Sequence, residues 1–125
     1  MNKRIVYVED DAQSARLVRM ILNANGYDVE VADSTEDGMR LIELHQPVLI
    51  LMDINLPDID GRQATIHLKH SAYKHIPVVA VTALAMRGDR ELILAAGCDD
   101  YLPKPFNVQD LLDTVQRHLT ETAEI

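Results

Sequence analysis

Cysteine is nearly absent from this chain: Cys98 stands alone among 125 residues. One thiol cannot close an internal disulfide, so a fold stapled by bridges is excluded and a reducing cytosol fits. Long apolar runs are absent too. None reaches the roughly 18–20 residues that span a bilayer, and Met1-Asn2-Lys3-Arg4-Ile5 is charged but lacks the longer apolar core of a signal peptide. Basic charge is scarce, with 12 Lys+Arg against 20 Asp+Glu and a net charge of −8. That balance disfavours non-specific nucleic-acid binding, which depends on neutralising phosphates with basic residues. Internal repeats, linkers and low-complexity segments are also missing. What remains is the composition of an ordinary globular domain, long enough to bury a core.

Four short segments carry the information, because each apolar run ends abruptly in polar residues. Ile5-Val6-Tyr7-Val8 ends in Glu9-Asp10-Asp11, Val48-Leu49-Ile50-Leu51-Met52 in Asp53, and Val78-Val79-Ala80-Val81 in Thr82. Tyr101-Leu102 runs into Pro103-Lys104-Pro105. Between them lie segments of helical periodicity, so the chain reads as repeated βα units. Strands are expected near 4–8, 28–32, 48–53, 77–82 and 100–103. The first helix starts from Asp10 or Asp11 as N-cap, faces Leu17, Val18, Ile21 and Leu22 inward, and ends at Asn25-Gly26, since glycine tolerates a left-handed cap. Ser34 or Thr35 caps the second, which turns Met39, Leu41 and Ile42 to the core and stops before Pro47. Three more helices are expected near 61–70, 87–96 and 108–120. Gly38 lies inside the second helix, where glycine costs about 1 kcal/mol relative to alanine, and close packing is the expected reason.

The first, third and fourth strands are continuously apolar, as expected when helices cover both faces; the second alternates and the fifth is short and polar, which suits sheet edges. With right-handed crossovers the order is 2-1-3-4-5, a flavodoxin-like (βα)5 doubly wound parallel sheet. Ligands of such sheets bind beyond the carboxyl ends of the strands, at the switch point between strands one and three. Glu9, Asp10 and Asp53 sit there. Three carboxylates against the Lys104 ammonium leave two negative charges, which one divalent cation neutralises. Hard oxygen donors favour Mg2+, with Mn2+ as the alternative, over Zn2+. A carboxylate can itself be a nucleophile that forms an acyl phosphate, provided metal and ammonium relieve the repulsion. Thr82 offers a hydroxyl to a phosphoryl oxygen. Taken singly, Asp10 or Asp11 could be only a helix cap, Asp53 a turn residue, Thr82 a strand end and Lys104 a solvated lysine.

Together these residues resemble the receiver domain of two-component response regulators, over about residues 4 to 120. The matching pieces are Glu9-Asp10, the run Asp53-Ile54-Asn55-Leu56-Pro57-Asp58-Ile59-Asp60-Gly61, Thr82-Ala83 and Lys104-Pro105. The stretch Pro77 to Pro105, with Ala85-Met86-Arg87-Gly88-Asp89, resembles single-domain regulators of the DivK type and equally receiver modules of hybrid kinases. The resemblance implies Asp53 as phosphoacceptor. It implies Mg2+ held by Asp10, Asp53 and the Asn55 backbone carbonyl, with Glu9 acting through metal-bound water. It implies Lys104 pairing with a phosphoryl oxygen, a cis Lys104-Pro105 bond, and Thr82 and Tyr101 as coupled switch residues. The family more often has Asp where Glu9 stands, so altered metal affinity is expected. The implied donor is a histidine kinase or histidine phosphotransfer protein, with a downstream protein docking on the face of helix four, strand five and helix five. The expectation is a cytoplasmic, monomeric or weakly dimeric single domain with no effector domain, no nucleic-acid partner and no membrane insertion. It would be no enzyme beyond Mg2+-dependent self-phosphorylation and autodephosphorylation; the alternative role is a phosphate shuttle or sink in a phosphorelay.

A phosphatase of the haloacid-dehalogenase type would need an acid two residues after Asp53, where Asn55 stands, and a cap insertion. A pseudo-receiver would normally lack part of the acidic set. With Asn55 and Leu84 beside the site, neither an acid nor a base, hydrolysis of the acyl phosphate is expected to be slow. His67, His70 and His75 straddle a helix end and a loop and read as solvated or partly buried. His45 and His118 sit near helix C-termini, where positive charge is favourable. Arg87, Arg90 and Arg117 read as solvated, and Cys98 as semi-buried.

Overall fold

The computed structural model describes residues 3–54, 61–83 and 89–123. Five strands alternate with five helices: β1 (Arg4–Val8), α1 (Ala12–Ala24), β2 (Asp28–Ala32), α2 (Thr35–His45), β3 (Leu49–Asp53), α3 (Gly61–Lys69), β4 (Val78–Thr82), α4 (Asp89–Ala95), β5 (Asp100–Pro103) and α5 (Val108–Ala123). All pairings are parallel, in the order β2-β1-β3-β4-β5. The expected fourth helix begins within 84–88, which lies outside the described residues.

The two-residue period of the strands divides the core. Val6, Val8, Ile50, Met52, Val78 and Ala80 face one way and pack with Ile42, Ala64, Leu68 and Ile93 from α2, α3 and α4. Ile5, Tyr7, Leu49, Leu51, Val79 and Val81 face the other way and pack with Val18, Leu22, Leu111 and Val115 from α1 and α5. This parity sets which side each functional strand end serves, because Glu9 continues the Tyr7 side and Asp53 the Leu51 side.

The caps resolve the open alternatives. Asp11 is the N-cap of α1, accepting from the Ser14 amide at 3.3 Å and the Ser14 hydroxyl at 2.5 Å, which leaves Asp10 free for other work. Ser34 caps α2 through the Asp37 amide. Gly26 and Gly97 take positive φ just beyond α1 and α4, where an L side chain is strained. Leu17 corrects the sequence reading: it is 56 % exposed, because the buried face of α1 runs through Ala15, Val18 and Leu22. Met39 and Leu41 pack only at the rim of their cluster. Cys98 is buried outright, its thiol pushed up by that burial.

Gly38 is there because α2 crosses β1 closely: a Cβ would sit 2.5 Å from Val8 Cγ2. Alanine would gain about 1 kcal/mol of helix propensity, but overpacking against a fully buried β-branched side chain costs about 1–3 kcal/mol. The clash is expected to win, since Val8 is fully buried and stiff at χ1. Gly38→Ala is therefore expected to lower the urea midpoint, and Val8→Ala should cost less in the Gly38→Ala chain than in wild type. A midpoint raised by Gly38→Ala alone would contradict this packing.

Candidate functional site

The site forms where four strands stop. Parallel pairing puts Val8 opposite Met52 and Asp53 opposite Val81, so Glu9, Asp53 and Thr82 emerge at nearly the same height. The neighbouring pair Thr82–Pro103 adds the start of the loop that carries Lys104. Glu9, Asp10 and Asp53 each present a carboxylate oxygen within 4.8 Å of the others. Glu9 and Asp53 are buried, while Asp10 is exposed at the mouth. Lys104 Nζ is in direct ion contact with Glu9 Oε1 and lies 3.6 Å from Asp53 Oδ2. Its amide donates to the Thr82 carbonyl at 2.8 Å, tying the β5–α5 loop to the end of β4, and the Lys104–Pro105 bond is cis.

The electrostatics follow from this crowding. Burial alone would raise the Glu9 carboxyl, but its hydrogen bonding with Asp53, and the bonds that Lys104 and Tyr7 donate to it, outweigh that and hold the group below its ordinary value. Burial pulls Lys104 down, and Glu9 and Asp53 overcome that and raise it. Both groups thus stay charged at neutral pH. Three oxygen-donor carboxylates within 4.8 Å of one another, one of them open to solvent, fit a small hard cation that keeps part of its water shell. No sulfur or imidazole belongs to the set, which argues against Zn2+.

Sequence reasoning missed Tyr7. Its side chain is fully buried, and its hydroxyl donates to Glu9 Oε1 at 2.8 Å. Burial, with the Glu9 charge next, pushes its ionisation well above the ordinary tyrosine value. The available signal was the two-residue strand period, which puts residues 7 and 9 on one face.

Asn55, Asp58, Asp60 and Leu84 lie outside the described residues, and with them the expected carbonyl ligand and the residues invoked for slow hydrolysis. Thr82 is fully buried, and Tyr101 is half-buried against the cluster beneath α3 and α4. On the β5–α5 side Asp100 is a second centre of charge. It accepts from Arg117 Nη2 at 2.6 Å and lies 2.9 Å from His118 Nε2. Arg117 is thus half-exposed but engaged and not simply solvated as the sequence reading had it, and His118 is buried. Burial would raise the Asp100 carboxyl, yet His118, the Tyr101 amide and Arg117 hold it below its ordinary range. The histidines of α3 and the following loop, His67, His70 and His75, are exposed. No helix among the described residues is long and apolar enough to cross a membrane.

The family model described as response regulator receiver domain matches residues 5–116. The polar-differentiation response regulators DivK of Brucella ovis and Brucella suis are 40 % identical over 120 residues, which is 95 % of this chain and 98 % of theirs. Among solved structures, a CheY-like receiver domain protein from Methanospirillum hungatei superposes with a TM-score of 0.92 at 32 % identity, over 99 % of this chain and 98 % of that one. The receiver domain of a sensor histidine kinase from Pseudomonas aeruginosa, described with a magnesium ion in its active-site cleft, gives a TM-score of 0.88 at 34 % identity, over 96 % of this chain and 99 % of that one.

Proposed function

The chain belongs to the response regulator receiver domain family, the phosphorylatable modules of two-component signalling, and from that premise we propose that Asp53 is its phosphoacceptor. It acts as a signalling protein and not as a catalyst on other substrates. The observation that carries the assignment is the convergence of Glu9, Asp10, Asp53 and Lys104 beyond the carboxyl ends of the strands.

In this reading a histidine of a kinase or phosphotransfer protein brings its phosphoryl group to the mouth of the site. An Asp53 carboxylate oxygen attacks phosphorus; the P–N bond breaks as the P–O bond forms, and the electron pair stays on the imidazole. Mg2+ bound by Asp10, Asp53 and the Asn55 carbonyl, with Glu9 reaching it through water, would neutralise the charge that gathers on the phosphoryl oxygens. Lys104 follows the charge outward to a phosphoryl oxygen. The Thr82 hydroxyl reads the same group, and Tyr101 turns inward as Thr82 moves. The exposed Leu92 and Leu94 on α4, with β5 and α5, form the surface whose partner affinity then changes. A cytoplasmic setting suits the lone buried thiol.

The test is incubation with phosphoramidate, followed by intact mass with and without Mg2+. A gain of one phosphoryl group that depends on Mg2+ is expected. Steady phosphate release from varied phosphomonoesters would indicate a phosphatase instead. Mg2+ alone should also raise the melting temperature, by about 2.7 kcal/mol of added stability at a hundredfold excess over Kd. Asp10→Asn should shrink that rise. An unchanged melting curve at millimolar Mg2+ would count against the cation site.

A further inference from the structure

Two donors converge on one oxygen of this site, and they differ in freedom. Glu9 Oε1 takes both the Tyr7 hydroxyl, at 2.8 Å, and the Lys104 ammonium. Glu9 is 1 % exposed, so bulk water does not readily replace a donor that leaves Oε1. Tyr7 is fully buried among Ile5, Val18, Leu22 and Leu51 and cannot follow a moving charge. The Lys104 side chain is 22 % exposed, and its Nζ already stands between Glu9 and Asp53. The Asp11 amide reaches only the other oxygen, Oε2, at 3.4 Å.

We propose that Tyr7 is a positioning residue for phosphoryl transfer: its hydroxyl keeps Glu9 Oε1 bonded when Lys104 leaves that oxygen for the phosphoryl group. This rests on the assignment of Asp53 as phosphoacceptor. When Asp53 is esterified, negative charge moves outward onto the phosphoryl oxygens, and Lys104 gains by following it. Without Tyr7 that departure strands a buried carboxylate oxygen, and a buried acceptor left without its donor is costly. Lys104 would then stay on Glu9. The fixed phenol therefore makes the lysine available.

The experiment measures phosphorylation rates from phosphoramidate in Mg2+ by intact mass, for wild type, Tyr7→Phe, Lys104→Met and the double variant. Tyr7→Phe is expected to slow phosphorylation roughly tenfold when Lys104 is present, and to have little effect when Lys104 is already gone. A merely structural tyrosine would lower the melting temperature and change both backgrounds alike, which would overturn the proposal. So would a Tyr7→Phe rate equal to wild type. A second reading uses wild type alone, with 13Cζ-labelled tyrosine and beryllofluoride as the phosphoryl mimic. The Tyr7 resonance should keep the shift of a phenol bonded to carboxylate after beryllofluoride is added, and loss of that shift would overturn the proposal even if Tyr7→Phe failed to fold. Wild type that gains no phosphoryl group would instead overturn the Asp53 assignment, and this inference with it.

Discussion

Asp53→Ala is expected to gain no phosphoryl group from phosphoramidate or acetyl phosphate, in any concentration of Mg2+, while staying folded. The loss should be complete because no neighbour can take over the attack. Glu9 is held by Tyr7 and Lys104 and is almost fully buried. Asp11 is committed to the α1 cap through Ser14. Asp10 is exposed at the mouth and sits before α1, not at the end of a strand. Stability should survive, since the substitution removes one of three clustered carboxylates and leaves the Lys104–Glu9 contact intact. Intact mass together with urea unfolding checks both halves. A variant that still carries one phosphoryl group would move the acceptor elsewhere; a variant that fails to fold would show that Asp53 is also structural, and Asp53→Asn would then be the test.

Lys104→Met has the second-largest expected effect, and it acts on rate and stability together. Removing a preorganised cation from the developing phosphoryl charge should slow phosphorylation about 10²- to 10³-fold. In the absence of Mg2+, stability at neutral pH should fall by about 3 kcal/mol, the low end for breaking a buried pair by deleting one partner, because Tyr7 still donates to Glu9. The pH dependence gives the sign. The Glu9 carboxyl lies below its ordinary value of 4.5, so its stabilising contribution is present above that value and is lost as pH falls through the depressed one. Lys104 lies above its ordinary value of 10.5, so its contribution is present below 10.5 and is lost as pH rises through the raised one. Deleting the lysine removes both, and burial then favours protonated Glu9. The stability gap between wild type and Lys104→Met should therefore narrow as the pH drops below about 4.5. Urea unfolding at neutral and acidic pH reads this directly, and a gap that widens on acidification would contradict the pairing.

The strand order was legible because burial differs between strands: the continuously apolar β1, β3 and β4 had to be central, and the alternating β2 and short β5 had to be edges. Once the order is set, the juxtaposition of Glu9, Asp10, Asp53 and Lys104 follows from parallel register alone. Gly38 was legible as an anomaly, a glycine where helix propensity opposes it, and Val8 is its cause. The remainder depended on contacts that local spacing does not encode. Leu17 has the right period for the core, but α1 is narrowly buried and presents Leu17 and Met20 to solvent. Asp100, Arg117 and His118 meet only because α5 lies back along β5. Tyr7 reads as one more apolar residue of β1 until its hydroxyl is seen on Glu9, and a buried tyrosine always raises the question of what accepts its proton.

The central claim is that one carboxylate, that of Asp53, carries the phosphoryl group. Borohydride reduction of the phosphorylated protein converts an aspartyl phosphate to homoserine, and peptide mass spectrometry then locates the reduced residue. Reduction is expected at position 53 alone, dependent on Mg2+ during phosphorylation. Reduction at Asp10 or Asp11, or a phosphoryl group that survives borohydride on a histidine, would contradict it.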